Sequence, residues 1–175
     1  MTNNLPARIL GLDLSLSRPG AAIIDVDKHG KPKVIAVSNV KTDANQTYAL
    51  RGRMIEAWLR LFVAEHNTKR KPIAVVVREK YAGKFGHASI FTAHSAADRV
   101  LSDFGLAELE TSKPIAQQRV KKLVVGKGRA EKDEVAEAVC EWTGYGGEFA
   151  SSDESDACAV ALAWAIENKL IKGGD

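Results

Sequence analysis

The stretch RILGLDLSLSRPGAAIIDVDKHGKPKVIAVSNV, residues 8–40, decides the fold. Its three apolar runs, 8–15, 20–27 and 33–40, have the length of β-strands, and the turn-forming sequences RPG and KHGK separate them. Short polar connections of this kind join antiparallel neighbours. The sequence therefore predicts a meander of three antiparallel strands.

The next part of the chain alternates between helical and extended patterns. In 46–65 the apolar residues recur at helical spacing, which predicts a helix with one buried apolar stripe made of Leu50, Met54, Trp58, Leu61 and Phe62. The β-branched run 73–79 is typical of a strand buried on both faces. A strand reached through a helix in this way is expected to lie parallel to a neighbour.

The remaining segments are shorter and more polar. We expect a helix over 88–104, a short fifth strand over 106–111, and a helix over 114–124 with Pro114 in its first turn. Two more helices are expected, over 132–143 and 153–170. The whole pattern predicts one α/β domain, residues 1–175, in which helices flank a five-stranded mixed sheet: an antiparallel 1-2-3 meander plus parallel strands.

Composition excludes several classes of protein. With 45% hydrophobic and 27% charged residues among 175, the chain is typical of a globular domain. No apolar run approaches the roughly 18 residues of a membrane span, so we expect no membrane contact and a cytoplasmic location, in a bacterial cell or a phage-infected host. Cys140 and Cys158 lie among apolar residues and are expected to be buried free thiols.

The net charge of +3 conceals two strongly biased parts. Residues 1–132 carry a charge of +11 and residues 133–175 a charge of −8. The segment 113–132 holds seven Lys and Arg residues and a single acid, Glu131. Such a segment suits phosphate binding, although a solvated basic loop would have the same composition.

Four carboxylates stand at positions where chemistry is expected. Asp13 and Glu79 each follow an apolar strand, and a right-handed crossover would bring both to the same end of the sheet. Asp153 and Asp156 are three residues apart at the start of the last helix, where they could equally be ordinary capping acids. Taken together, four carboxylates favour hard divalent ions, Mg²⁺ or Mn²⁺, and a two-metal site for phosphoryl transfer.

With these residues identified, the sequence resembles the RuvC-type Holliday-junction resolvases of the RNase H-like nuclease superfamily. The resemblance covers most of the chain and is carried by GLDLSLSRPG around Asp13, VVVREKY with Glu79, VKKLVVGKGRAEKDEV at 120–135, and DESDACAVALAWAI from Asp153. The third segment is the most specific of the four. The resemblance implies an RNase H-like fold and a structure-selective DNA endonuclease that hydrolyses phosphodiester bonds of four-way junctions.

The resemblance also implies a cofactor, partners and site residues. Two Mg²⁺ ions per active site, which Mn²⁺ could replace, would be bound by Asp13, Glu79, Asp153 and Asp156. Branched DNA would be the substrate and a homodimer would make paired nicks. Ile90 and Phe91 would lie in its interface, although core packing explains their apolar character equally well. By the same resemblance, Lys121 and Lys132 contact the DNA backbone near the scissile phosphate, and Lys132 is counted with the four carboxylates as catalytic. Less specific phosphate contacts are implied for Lys122, Lys127 and Arg129, each of which could also be a solvated charge.

Two departures from the family pattern concern selectivity. Leu14-Ser15 stands where the cellular family usually has Pro-Gly, and Ala82 replaces an aromatic wedge. Tyr81 and Phe85 flank Ala82 and could stack on bases at the crossover or simply pack in the protein. The variant resembles the phage-borne branch of the family more closely, which implies that other branched DNA could also be accepted.

Two alternatives compete with the nuclease. A non-catalytic branched-DNA-binding module would also need the basic segment, with the acidic helix start merely capped. A sugar-kinase or actin-type ATPase begins with a similar Gly-x-Asp turn, but it needs two such domains and 175 residues are too few. His87 and His94 are left out of the site, because a structural role is the better interpretation of a histidine among alanines.

Overall fold

The computed structural model describes residues 6–80, 87–111 and 113–171. Its first three strands are β1 (Ala7–Asp13), β2 (Gly20–Val26) and β3 (Pro32–Asn39), and each pairs antiparallel with the next. This is the predicted meander.

The sheet becomes parallel after the first helix. Strand β4 (Val75–Lys80) pairs parallel with β1, and β5 (Ile115–Ala116) pairs parallel with β4. The order across the sheet is β3-β2-β1-β4-β5. The predicted five-stranded mixed sheet is therefore confirmed, with β1 at its centre.

Helices cover both faces of the sheet. One core joins Leu10, Leu12 and Val76 to α1 (Tyr48–His66) and α2 (Ala88–Asp103). The other core joins Ile9 and Val77 to the three later helices, α3 (Gln117–Val124), α4 (Lys132–Thr143) and α5 (Ser152–Glu167). Because successive side chains of a strand point to opposite faces, Asp13 and Glu79 belong to the α5 face.

Helix α5 is the central element of its layer. Ten of its side chains are buried, and it packs against β1, β2 and the neighbouring helices. Within the three described ranges, no helix combines the length and the apolar character needed to cross a membrane.

Three expectations about local structure are wrong. Leu50 and Leu61 of α1 are 46% and 72% exposed, because the helix turns Ile55, Leu59, Phe62 and Val63 toward the sheet and α2 instead. Segment 106–111 is not a strand: it contains a short 3₁₀ helix, Ala107–Leu109, and touches β4 through one bridge between Val76 and Glu110.

The fifth strand lies further along the chain. Ile115 and Ala116 pair with Glu79 and Lys80, so Pro114 precedes a strand and is not in the first turn of a helix. The helix begins only at Gln117. Cys158 is fully buried and its burial raises the pKa of the thiol, whereas Cys140 is half-buried, and both are free.

Candidate active site

The two strand-end carboxylates stand side by side. Leu12 pairs with Arg78 in the parallel register of β1 and β4, so the residues that follow them, Asp13 and Glu79, occupy adjacent positions. Asp13 is the last residue of β1 and Glu79 the last but one of β4, and both belong to the face covered by α5. The expectation that a crossover brings these carboxylates together at one end of the sheet agrees with this register.

Two glycines let α5 approach this end of the sheet closely. A Cβ atom at Gly11 would lie 2.2 Å from the carbonyl oxygen of Ala157, and one at Gly20 would lie 2.0 Å from that of Asp153. Gly20 is the register partner of Asp13 on β2. The N-terminal end of α5, with Asp153 in its first turn and Asp156 in the next, therefore sits directly over the strands beside Asp13.

The pKa values of the carboxylates show that the four groups interact. Burial, followed by repulsion from Asp156 and Asp153, raises the pKa of Asp13 to about 7. Burial, followed by repulsion from Asp13 and Asp156, raises the pKa of Glu79 to about 8. Burial is also the largest cause of the raised pKa of Asp156. The acidic cluster, Asp13, Glu79, Asp153 and Asp156, thus behaves as one electrostatic unit.

Two lysines lie close enough to oppose this repulsion. Lys132 lowers the pKa of Asp13 and Asp156, and its Nζ donates to Ser152 Oγ at 2.8 Å. Lys121 lowers the pKa of Glu79 and Asp156, and its Nζ donates to the carbonyl oxygen of Ala130 at 2.6 Å. The structure therefore places both lysines beside the acidic cluster.

The other basic residues of this segment are less directly placed. Lys127 forms an ion pair with Glu134 on α4, so part of its charge is already balanced within the chain. Lys122 and Arg129 are exposed. Tyr81 and Phe85 lie outside the described residues, and their role stays a prediction.

Glu154 is a site residue that sequence reasoning missed. Its side chain is 5% exposed, with Oε1 accepting from Asn39 Nδ2 at 2.7 Å and Oε2 accepting from the Ala150 amide at 2.8 Å. These bonds attach the first turn of α5 to the end of β3. The sequence does not identify Glu154, because nothing in a run of acidic residues distinguishes a buried carboxylate from an exposed one.

Arg78 is the second residue that was missed. It is 6% exposed and points away from the acidic cluster, toward α2, where Nη2 donates to Asp98 at 2.5 Å and to Glu110 at 3.0 Å. His94 Nδ1 lies 3.3 Å from Arg78 Nη1, in agreement with a structural role for that histidine. Arg78 therefore anchors the strand that carries Glu79 to the helix layer behind it.

The acidic cluster fits a hard cation by its chemistry. All four side chains offer oxygen ligands. Burial and then repulsion by neighbouring carboxylates raise the pKa values of Asp13 and Glu79, and a bound divalent ion would relieve both effects. In the conformation of the described residues, no group of three or more His, Cys, Asp or Glu side chains could hold a metal ion as it stands. The carboxylates are thus grouped within electrostatic range of one another.

The raised pKa of Asp13 has a consequence for stability. The folded-state pKa of about 7 exceeds the ordinary value of 3.8, so the ionised carboxylate destabilises the metal-free fold fully above about pH 7 and not at all below 3.8. The limit of this effect is about 4 kcal/mol. Asp13→Asn is therefore expected to raise the free energy of unfolding at about pH 8 and to change it little at about pH 4.

Urea unfolding in EDTA at the two pH values measures this difference. Asp133→Asn, which changes an exposed acid of α4, is the matched control and should show no such pH-dependent gain. An Asp13→Asn protein that is no more stable than the parent at about pH 8 would contradict the electrostatic interpretation.

Comparison with known proteins shows which proteins this chain resembles. The sequence model of the family described as crossover junction endodeoxyribonuclease RuvC matches residues 9–164 of this chain. The crossover junction endodeoxyribonuclease RuvC of Methylorubrum extorquens (strain PA1) is 32% identical over 164 residues, covering 94% of this chain and 82% of that protein. The protein of the same description from Synechococcus sp. (strain CC9311) is 29% identical, covering 89% and 96%.

Solved structures agree in fold. T. thermophilus RuvC in complex with Holliday junction substrate superimposes with a TM-score of 0.75 at 21% identity, covering 94% of this chain and 96% of that chain. The Fowlpox virus resolvase, in complex with substrate Holliday junction DNA, gives a TM-score of 0.50 at 17% identity, covering 92% and 98%. These likenesses confirm the predicted RNase H-like fold class.

Proposed function

This chain belongs to the RuvC family of crossover junction endodeoxyribonucleases, and we propose that its acidic cluster holds two Mg²⁺ ions with which it cuts four-way DNA junctions. Asp13, Glu79, Asp153 and Asp156 are the proposed ligands. Dependence on a divalent metal is a property of the family. The number of ions, the choice of Mg²⁺ with Mn²⁺ as a substitute, and the ligand set are our proposal for this chain.

The observation that carries the proposal is the coupling of carboxylates from three elements. Asp13 and Glu79 come from neighbouring strand ends, and Asp153 and Asp156 from the helix above them, yet each raised pKa in the group has another member of it as a cause. Buried like charges are costly unless a cation accompanies them. A purely structural helix cap would not require this grouping.

The bound ions would supply a water of lowered pKa and stabilise the charge on the leaving oxygen. The chain's own residues would position the DNA. Lys132 and Lys121 lie beside the acidic cluster and would attract the negatively charged scissile phosphate. This attraction would offset the repulsion between the phosphate and the carboxylates. Lys122 and Arg129 would bind neighbouring backbone phosphates, with Lys127 contributing less because Glu134 pairs with it. Tyr81 and Phe85 would stack on unpaired bases at the crossover.

The second copy needed for paired nicks would contact this one through α2. A homodimer is typical of the family, and a junction with two equivalent strands suits a two-fold pair of active sites. Phe91 on α2 is 54% exposed, whereas Ile90 is half-buried. We place the enzyme in the cytoplasm, with residues 1–175 acting as one nuclease domain, and include other branched DNA among its substrates.

Metal binding tests the ligand assignment separately from cleavage. Asp156→Asn is expected to weaken Mn²⁺ binding by at least about tenfold, because it removes one charged oxygen ligand. The measurement is calorimetric titration of Mn²⁺ into the protein without DNA, with Asp133→Asn as the control. Equal Mn²⁺ affinity of Asp156→Asn and the parent would favour the alternative, a DNA-binding module with a capped helix.

A further inference from the structure

A pocket lies between the two loops that follow β1 and β3. Loop 14–19 and loop 40–47 border an open pocket of about 580 Å³, lined by Ser17, Arg18, Lys41, Thr42, Asp43 and Ala44. The loops are fixed to each other, since the Thr42 amide donates to the carbonyl oxygen of Ser17 at 2.9 Å and Thr42 Oγ1 donates to that of Leu16 at 2.6 Å. The pocket is a formed feature of the fold.

The pocket lies at the same end of the sheet as the acidic cluster. Loop 14–19 begins directly after Asp13. Loop 40–47 begins directly after Asn39, which pairs with Gly20, the register partner of Asp13. Since neighbouring strands are about 4.8 Å apart, the end of β3 is roughly 10 Å from Asp13 across the sheet. Glu79 lies on the other side of Asp13, on β4, and the charge of Lys121 opposes the rise in the pKa of Glu79.

A buried arginine stands behind the pocket. Arg51 of α1 is 6% exposed; its Nε donates to Thr42 Oγ1 at 2.9 Å and its Nη2 donates to Ser17 Oγ at 3.1 Å. In the described ranges, no Asp or Glu forms an ion pair with Arg51. A buried guanidinium held by neutral hydroxyl groups lacks the anion that usually accompanies it.

Two more cations line the opening of the pocket. Lys41 is exposed and Arg18 is half-buried. The acid in the wall, Asp43, is engaged within its own loop, where Oδ1 accepts from the Asn45 amide at 2.9 Å. Arginine, lysine and hydroxyl side chains are the groups that bind phosphate in protein complexes with DNA. The pocket therefore offers phosphate ligands backed by a buried positive charge.

We propose that this pocket holds a backbone phosphate of the DNA strand that crosses the acidic cluster. The inference rests on the proposed function, since it supplies a second anchor for the same substrate. With Lys121 on one side of Asp13 and Arg18 and Lys41 on the other, the strand is held at both sides of the scissile bond. Arg51 acts through Ser17 and Thr42 as a positioning residue.

The test compares the double variant Arg18→Ala/Lys41→Ala with the double variant Lys28→Ala/Lys33→Ala. The second pair removes the same charge from exposed positions near the hairpin between β2 and β3, at the opposite end of the sheet. Binding of a labelled four-way junction is followed by fluorescence anisotropy in EDTA over a series of salt concentrations. Thermal unfolding of each variant verifies that the fold is kept.

Arg18→Ala/Lys41→Ala is expected to weaken junction binding about tenfold at low salt. The slope of log affinity against log salt concentration should become less steep by about 0.9 for each phosphate that the protein no longer neutralises. Lys28→Ala/Lys33→Ala should stay near the parent. Lys41→Glu, a single change at an exposed position, is expected to weaken binding in the same direction.

Two results would overturn the inference, and they differ in what else they affect. If the parent binds the junction and the Arg18→Ala/Lys41→Ala variant keeps both its affinity and its salt slope, the pocket is no phosphate site while the proposed function stands. If the parent binds no branched DNA at all, the proposed function fails and this inference fails with it.

Discussion

Asp13→Asn is expected to lower the rate of junction cleavage in Mg²⁺ by at least about a thousandfold, which corresponds to about 4 kcal/mol of transition-state stabilisation. Asp13 lies at the centre of the acidic cluster. Repulsion from Asp156 and Asp153 contributes to its raised pKa, and Asp13 in turn contributes to the raised pKa of Glu79. A neutral amide of the same size keeps the local packing but removes the charge that would attract a divalent ion.

Junction affinity should change little in this variant, by less than about threefold. The phosphate contacts are assigned to lysines and arginines, and the loss of one carboxylate reduces repulsion of DNA. Cleavage is measured with a labelled four-way junction in Mg²⁺ and binding with the same junction in EDTA. Asp133→Asn, on the neighbouring helix α4, serves as the control. Cleavage by Asp13→Asn at the parent's rate would show that Asp13 is not a catalytic residue.

Gly20→Ala is expected to destabilise the fold by about 2 kcal/mol or more and to impair cleavage at temperatures where the protein is still folded. The added Cβ would lie 2.0 Å from the carbonyl oxygen of Asp153 and 3.1 Å from the Glu154 amide. Both contacts are with backbone, which cannot turn aside as a flexible side chain could. The first turn of α5 would have to shift, and Asp153 and Asp156 would shift with it.

Gly146→Ala is the matched control, because a Cβ at Gly146 would meet no atom within 4 Å. Chemical unfolding gives the stability of each variant, and cleavage at a low temperature separates the loss of geometry from the loss of folded protein. If Gly20→Ala unfolds at the same denaturant concentration as Gly146→Ala, the close approach of α5 to β2 does not hold in solution.

The first four strands could be predicted, and the candidate carboxylates identified, because their signals are local. Asp13 and Glu79 each lie near the end of an apolar strand, where a buried charge is costly enough to indicate function. The start of α5 is equally visible, since Asp153 and Asp156 precede a continuous apolar helix. The helix crossover between their strands predicts that both carboxylates lie at the same end of the sheet, and the observed register places Asp13 beside Glu79.

Other features depend on contacts that a single sequence does not reveal. Strand β5 has two residues, too few for a period, and its position is set by pairing with Glu79 and Lys80. The buried side of α1 depends on α2: Gly52 faces Thr92, whose Cγ2 would lie 2.9 Å from an added Cβ. This close approach turns Ile55 inward and leaves Leu50 and Leu61 outside.

The roles of charged residues also depend on contacts that a single sequence does not reveal. Lys121 and Lys127 belong to the same basic segment, but the fold brings Lys121 to the acidic cluster and pairs Lys127 with Glu134. Arg51 was one basic residue among many, and its importance follows from burial without a carboxylate partner in the described ranges. Proximity in three dimensions decides which charges of a basic segment can serve the site.

Cleavage of a four-way junction by the wild-type protein, with each of the four strands labelled in turn, tests the proposed active site most directly. We expect paired nicks in two opposite strands when Mg²⁺ is present and none in EDTA, with a lesser rate on forks, flaps and plain duplex. Equal cleavage in EDTA, or no cleavage of any branched DNA in Mg²⁺ or Mn²⁺, would contradict a metal-dependent resolvase site at Asp13, Glu79, Asp153 and Asp156.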